Sequence, residues 1–304
     1  MILSSVVLQP LWESGCRVDF LTLKPFHQLF QEDYRLSRVI GVDRNQLKGL
    51  GDIVRFAKTL GKYDYVLDLH KNLRSFIMSI FIDGKVFRYK KNSIKRRFGR
   101  LSREFNIVRA YLKPLEKLNI KDLEKYRPKL VLSEKEVKKF EKELPKRFIS
   151  IGTGARYKNK VYPLYHKVAE ILVKQDYNIV LVGSDRDKEM DRGSYSKGIL
   201  DLRGKLSIRE SLAVISKGVL TISNDSAVAH MSRAVGVPVL MVYGATHPYL
   251  GFSPLEDEGG YIFKNLSCQP CDIHGKGECK RGDLACLTSI APTEIAERAL
   301  SLIG

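Results

Sequence analysis

No apolar stretch in this 304-residue chain approaches the roughly 18 residues that a membrane-spanning helix needs. The longest candidate, SFIMSIFI at 75–82, reads as a buried helix or strand. The amino terminus lacks a basic leader and Pro10 interrupts its apolar stretch, so a secretory signal is not expected. Cysteine is scarce, five residues in all, which excludes a disulfide scaffold. Neither G-x-G-x-x-G nor G-x-x-x-x-G-K-S/T occurs, which disfavours a nicotinamide dehydrogenase and a P-loop NTPase. Acid is in short supply: 34 Asp and Glu stand against 52 Lys and Arg, a net charge of +18. Such an imbalance concerns partners rather than fold, and suits nucleic acid, an anionic membrane surface or a phosphate-bearing substrate. No aromatic-interleaved basic motif accompanies it, so nucleic acid is not expected. The expected location is cytoplasmic, peripheral to a membrane at most.

What is present is a rhythm. FISIG (148–152), NIVLVG (178–183), GILDLRG (198–204), GVLTIS (218–223) and VPVLMVYG (237–244) read as short buried strands. Helical patterns fall between them at 164–175, 185–192, 207–216 and 226–235, the third opening on Ser207 with Glu210 at capping-box spacing. This alternation predicts a doubly wound α/β domain with a parallel sheet. The first half repeats the theme, with strands at 17–22, 38–42, 63–70 and 85–90 and helices at 25–31, 48–60 and 72–81. A charged linker at 133–147 puts the boundary near 145, dividing the chain into 1–145 and 146–304. The chain opens on a helix-like segment, MILSSVVLQPLWESG, with no strand before it. Residues 85–103 hold nine Lys or Arg and no acid, and read as a solvated basic surface or as a docking patch for an anionic acceptor or membrane.

In open α/β sheets, ligands bind outside the carboxyl ends of the strands. GTGARYKNKVYP (152–163) joins Thr153 and Gly154, suited to close backbone approach, to Arg156, Lys158 and Lys160. GSDRDKE (183–189) puts Asp185 just past a strand, where an acid can accept ribose hydroxyls. SNDSAVAH (223–230) places Asp225, Ser226, Ala227 and His230 at the mouth of a helix, whose unpaired N–H groups and dipole favour an anion. YGATHP (243–248) adds Gly244 and Thr246. Singly, each has a plain reading: Asp225 or Ser226 is a helix cap, His230 a packing residue, Lys158 a surface charge. Together, at one sheet edge, they point to a diphosphate site. Cys268, Cys271, Cys279 and Cys286 crowd near the end with spacings of two, seven and six residues. They read as a structural metal site, zinc by preference, or as disulfides or free thiols.

Four segments carry a resemblance: YDYVLDLHKNLRS (63–75), GTGARYKNKVYP, the run from LRGKLS through SNDSAVAH to YGATHP (202–248), and the terminal CQPC segment (268–292). In them the chain resembles glycosyltransferase family 9, the ADP-heptose–lipopolysaccharide heptosyltransferases. The resemblance implies a GT-B fold, two Rossmann-like doubly wound domains facing a cleft, with the acceptor on 1–145 and the nucleotide-sugar on 146–304. It implies inverting transfer of heptose from ADP-heptose to the lipopolysaccharide inner core (Kdo-lipid A). No cofactor is required for that catalysis, and the expected place is the cytoplasm, peripheral to the inner membrane. Asp225 would then meet the sugar, the 226–229 amides the diphosphate, and Lys160 the sugar–diphosphate. Thr246 and Gly244 would line the pocket. His70, Asn72 and Arg74 would meet the acceptor, the planar fork of Arg74 suiting a carboxylate or phosphate; Arg74 reads equally as a structural ion pair. Two departures stand out. The family opens with a strand and S-x-G-D, whose Asp is its general base; here Met1 matches the residue after that Asp, so strand and base are expected upstream of a misplaced start. GTGAR replaces a common Pro-Gly-Ala, with little expected consequence. The alternatives are a GT-B transferase for another nucleotide-sugar, or a non-catalytic binding protein without the base.

Overall fold

The structure, a computed structural model, describes residues 1–90, 105–191 and 193–304, so most of the basic run at 85–103 lies outside the described residues. The chain divides into two compact units, one from Leu3–Ser93 with Ile107–Val131, the other mainly from Leu132–Gly304.

In the first unit, β1 (Asp19–Leu23) pairs in parallel with β2 (Arg38–Val42), and β3 (Lys62–Asp68) with β4 (Asp83–Arg88). These are two separate two-stranded sheets among the described residues. The opening segment is a 3-10 turn, Ile2–Val7, running into α1 (Leu8–Glu13); Pro10 is tolerated because it falls in the first turn, where backbone N–H groups lack intrahelical partners. The expected helix at 25–31 is a 3-10 turn, Phe26–Phe30. Helix α2 (Leu50–Thr59) turns Ile53 and Ala57 onto Val42 of β2 and Met78 of α3 (Leu73–Phe81). The 75–82 stretch is helical but buried on one side only: Met78 enters the core, while Phe76, Ile80 and Phe81 are exposed. An apolar run reports what a helix is made of, not what covers it. Asp19 accepts from Arg38 (2.6 Å) and from the Tyr63 hydroxyl (2.8 Å), tying the start of β1 to the start of β3. Helix α4 (Ile107–Leu112) adds buried Ile107 and Val108.

The second unit is one six-stranded parallel sheet. Its strands are β5 (Phe148–Gly152), β6 (Asn178–Val182), β7 (Leu200–Asp201), β8 (Leu220–Asn224), β9 (Val239–Val242) and β10 (Gly259–Ile262). Their spatial order is β10-β9-β8-β5-β6-β7. The chain therefore winds outward from β5 through β7, then returns to the other side of β5 and winds outward again. The reversal falls between β5 and β8, a topological switch point. Helices α5 (Glu134–Lys139), α6 (Tyr165–Val173), α7 (Asp185–Met190), α8 (Ile208–Ile215), α9 (Ala227–Ala234), α10 (Ala285–Thr288) and α11 (Pro292–Ile303) complete the unit. On one face Ile149, Ile151 and Ile222 pack with Val168 and Leu172 of α6 and Ile295 and Ala299 of α11. On the other, Val239, Met241 and Tyr243 pack with Ala229 of α9. Burial on both faces is why these strands read as continuous apolar runs. The expected strand at 198–204 contracts to the two residues of β7 at the sheet edge, and β10, masked by Gly259 and Gly260, was not anticipated.

Candidate donor site

At the switch point Gly152 of β5 pairs with Ser223 of β8, so the loops that follow both strands emerge side by side. The residue that joins them is Asn224, which the sequence reading passed over. Its buried amide accepts from the Tyr162 backbone (2.9 Å) and the Tyr165 hydroxyl (3.1 Å). It donates to the carbonyls of Thr153 (3.0 Å) and Gly154 (3.1 Å). All its hydrogen-bonding capacity is spent on the stretch 153–165, far from it in sequence.

The next residue, Asp225, is buried beside two of its expected neighbours. Its Oδ2 accepts from Lys160 Nζ (2.7 Å) and from Thr246 Oγ1 (2.9 Å). Burial pushes the Asp225 carboxyl up; the charge of Lys160 and the two hydrogen bonds outweigh it and hold the group below its ordinary value. Ser226 is the N-cap residue of α9, but its side chain makes no capping bond and meets the Ser223 hydroxyl instead (2.9 Å). Neither Asp225 nor Ser226 therefore caps α9 through its side chain, and Ala227 stands exposed at the helix start. His230, one turn on, keeps a buried Nδ1 without a hydrogen-bond partner. Burial, then the charge of Arg233, push its imidazole down to about 3 against the opposing pull of Asp225, so it is neutral at physiological pH.

Other expected residues do not join this group. Arg156 is exposed, its guanidinium 5.4 Å from the Tyr157 ring. Asp185 is exposed at the start of α7, with Ser184 as the cap. Thr153 is buried and accepts from Arg203 (3.0 Å), a second residue the sequence reading missed. Arg203 is itself locked by Asp191 (2.7 Å) and Asp201 (2.8 Å). Gly154 lies against Asp187, where a Cβ would come within 2.0 Å of the carboxylate, and Gly244 lies against the Asn159 carbonyl, 2.7 Å from where a Cβ would stand. The small size of Gly244 serves packing here.

In the first unit His70 and Asn72 lie in the loop after β3, and Arg74 follows in the first turn of α3. Asn72 caps α3 by accepting from Ser75 N (2.8 Å), and its Nδ2 lies 3.2 Å from a His70 ring nitrogen. Buried Asp68 accepts from the backbone of His70 (3.1 Å) and Lys71 (2.8 Å) and so shapes the turn. Arg74 is exposed in the first turn of α3.

Of the three readings of the cysteines, the structure holds the free thiols. All four are free thiols, and no group of three or more His, Cys, Asp or Glu is gathered to hold a metal among the described residues. Polypeptide hydrogen bonds tie this loop down: Cys271 N donates to Ala245 O (3.0 Å) and Gln269 Nε2 to Gly244 O (2.6 Å). The loop thus braces the segment that carries Thr246. Burial, reinforced by the neighbouring thiols, pushes Cys286 up to about 11.

A doubly wound sheet that gathers an ammonium, a carboxylate and an uncapped helix start at its switch point is the arrangement in which α/β proteins hold phosphate-bearing ligands. The model of glycosyltransferase family 9 (heptosyltransferase) matches residues 53–280, and the chain belongs to that family. Lipooligosaccharide heptosyltransferase 2 of Haemophilus influenzae is 28% identical over 182 residues, 55% of this chain and 52% of that protein. The chain spans about half the length of the first curated relatives it matches. A family 9 glycosyl transferase structure from Veillonella parvula has a TM-score of 0.79 at 19% identity, covering 99% of this chain and 93% of that one. The Escherichia coli ADP-heptose lps heptosyltransferase II structure has a TM-score of 0.72 at 19% identity, covering 100% and 95%. Both match the α/β, GT-B fold.

Proposed function

We propose that this protein is an inverting glycosyltransferase that moves heptose from ADP-heptose to the inner core of lipopolysaccharide. The observation that carries the donor half is the start of α9. Both candidate capping side chains turn away from it, and the Lys160–Asp225 pair lies alongside. The diphosphate would take the first-turn N–H groups of α9 and the ammonium of Lys160. Asp225 gives Oδ2 to Lys160 and Thr246, which leaves Oδ1 for a sugar hydroxyl. An acceptor hydroxyl attacks the anomeric carbon as the bond to ADP breaks, so the centre inverts; the hydroxyl proton passes to solvent and the bonding pair leaves with ADP. Negative charge grows on the departing diphosphate, and amides and an ammonium already in place stabilise it without reorganising. The acceptor side is assigned to His70, Asn72 and Arg74 of the first unit, and the work place to the cytoplasmic face of the inner membrane. The match to glycosyltransferase family 9 (heptosyltransferase) supports the donor class.

The test is calorimetric binding of ADP-heptose beside other nucleotide-sugars, together with mass-spectrometric detection of heptose transfer to Kdo-lipid A. Asp225→Ala is expected to lose both binding and transfer. Intact binding and turnover in that variant would overturn the site, and preference for a different nucleotide-sugar would overturn the donor.

A further inference from the structure

Helix α3 is apolar on two sides. Met78 enters the core of the first unit, while Leu73, Phe76 and Ile80 are 75%, 46% and 57% exposed. At about 100° per residue these three lie within roughly 60° of one another, a single stripe along the helix. A surface helix of a soluble protein places polar residues there, and a contiguous exposed apolar patch marks a contact site.

The stripe is rimmed by positive charge. Arg74 is exposed beside Leu73, and Lys71 and Lys90 are exposed near by in sequence. The Arg88 guanidinium lies over the Phe76 ring at 4.7 Å, held by the Ser79 hydroxyl (2.5 Å) and facing buried Asp68 (3.5 Å). Between residues 69 and 90 there are five Lys or Arg and one acid, Asp83, which faces Lys62 at 3.6 Å. Apolar side chains bordered by cations complement the interface of a bilayer with anionic head groups. A second copy of the chain would instead set this positive rim against itself. At nine residues the helix is far too short to span a bilayer, so it would lie in the interface.

We infer that α3 docks on an anionic bilayer surface, with Leu73, Phe76 and Ile80 inserted among the head groups and the cationic rim set against lipid phosphate. Docking stands on these observations alone. Its use, bringing the His70–Asn72 loop to a lipid-linked acceptor, rests on the proposed function.

The experiment is co-sedimentation of the full chain, without donor or acceptor, with vesicles of phosphatidylglycerol and phosphatidylcholine or of phosphatidylcholine alone. Binding is expected to the anionic vesicles only. Leu73→Ser/Phe76→Ser/Ile80→Ser is expected to weaken it by roughly tenfold or more, the apolar share of interfacial binding, while transfer to a water-soluble deacylated acceptor stays unchanged. Should that variant fold poorly, Trp12→Phe/Phe76→Trp gives a second readout, an emission blue shift on anionic vesicles. Equal binding by the triple variant, or no blue shift, overturns the inference. So does a dimer in sedimentation velocity that the triple variant abolishes. Failure of all heptose transfer would overturn the proposed function and leave the vesicle result standing.

Discussion

Two asparagines show how differently the two units use the same side chain. Asn224, at the switch point, is fully buried and bonds to four groups on a remote stretch, residues 153–165. Asn72, after β3, is half-buried and bonds only within its own turn, to Ser75 and His70. The first holds a site rigid before any ligand arrives; the second starts a helix. Preorganised charge is what stabilises a leaving group cheaply, so the rigid side is where the proposed chemistry has its support. The exposed loop is suited to an acceptor that brings its own surface.

The largest effect should come from the charge on the rigid side. Lys160→Ala is expected to lower turnover by roughly 10²–10³-fold, the size found when one preorganised donor is lost. It also leaves Asp225 buried without its cation. Steady-state kinetics with ADP-heptose would show it, and a loss under about threefold, against that reference size, would erase the contrast.

Next comes the asparagine itself. Asn224→Ala leaves the Tyr162 N–H and the Thr153 and Gly154 carbonyls unpaired. At about 1–3 kcal/mol per buried group left unsatisfied, a total loss of about 3 kcal/mol or more is expected in urea unfolding.

The contrast also explains what was legible in advance. β5, β6, β8 and β9 were readable because strands buried on both faces are apolar throughout. β10 was not, since Gly259 and Gly260 remove the side chains that carry the pattern. Asp225, Lys160 and Thr246 could be brought to one sheet edge because each follows or lies near a strand end. The Lys160–Asp225 bond itself could not, as it spans 65 residues. Asn224 and Arg203 escaped notice for a related reason. Asn224 grips mostly backbone atoms, and Arg203 grips the Thr153 hydroxyl from a loop 50 residues away. Spacing along a chain contains no sign of either. The exposed side of α3 was misread as buried because composition does not report cover.

A smaller effect sharpens the electrostatics of the rigid side. His230 titrates at about 3 when folded, against its ordinary value of 6.5. A depressed pKa means the folded state binds fewer protons than the unfolded state between those values. Its stabilising share is therefore present above 6.5 and is lost as pH falls toward about 3. The slope is at most about 1.4 kcal/mol per pH unit. Unfolding curves from pH 7 to 4 should show it, and His230→Gln should flatten it. An unchanged slope in that variant would assign the acid sensitivity elsewhere.

The smallest effect belongs to the exposed loop. Asn72→Ala removes the cap on α3 and should cost about 1 kcal/mol, well short of the Asn224 loss. Asn72→Asp keeps an acceptor for Ser75 N–H and should recover that stability, while giving up the amide N–H group near His70. The pair separates two roles that coincide in one side chain. If Asn72 only starts the helix, the Asp variant matches the parent in both melting and acceptor KM. If it also orients His70 toward the acceptor, stability returns and KM stays raised. A KM that follows stability in both variants would leave the loop with no part in recognition beyond forming its helix.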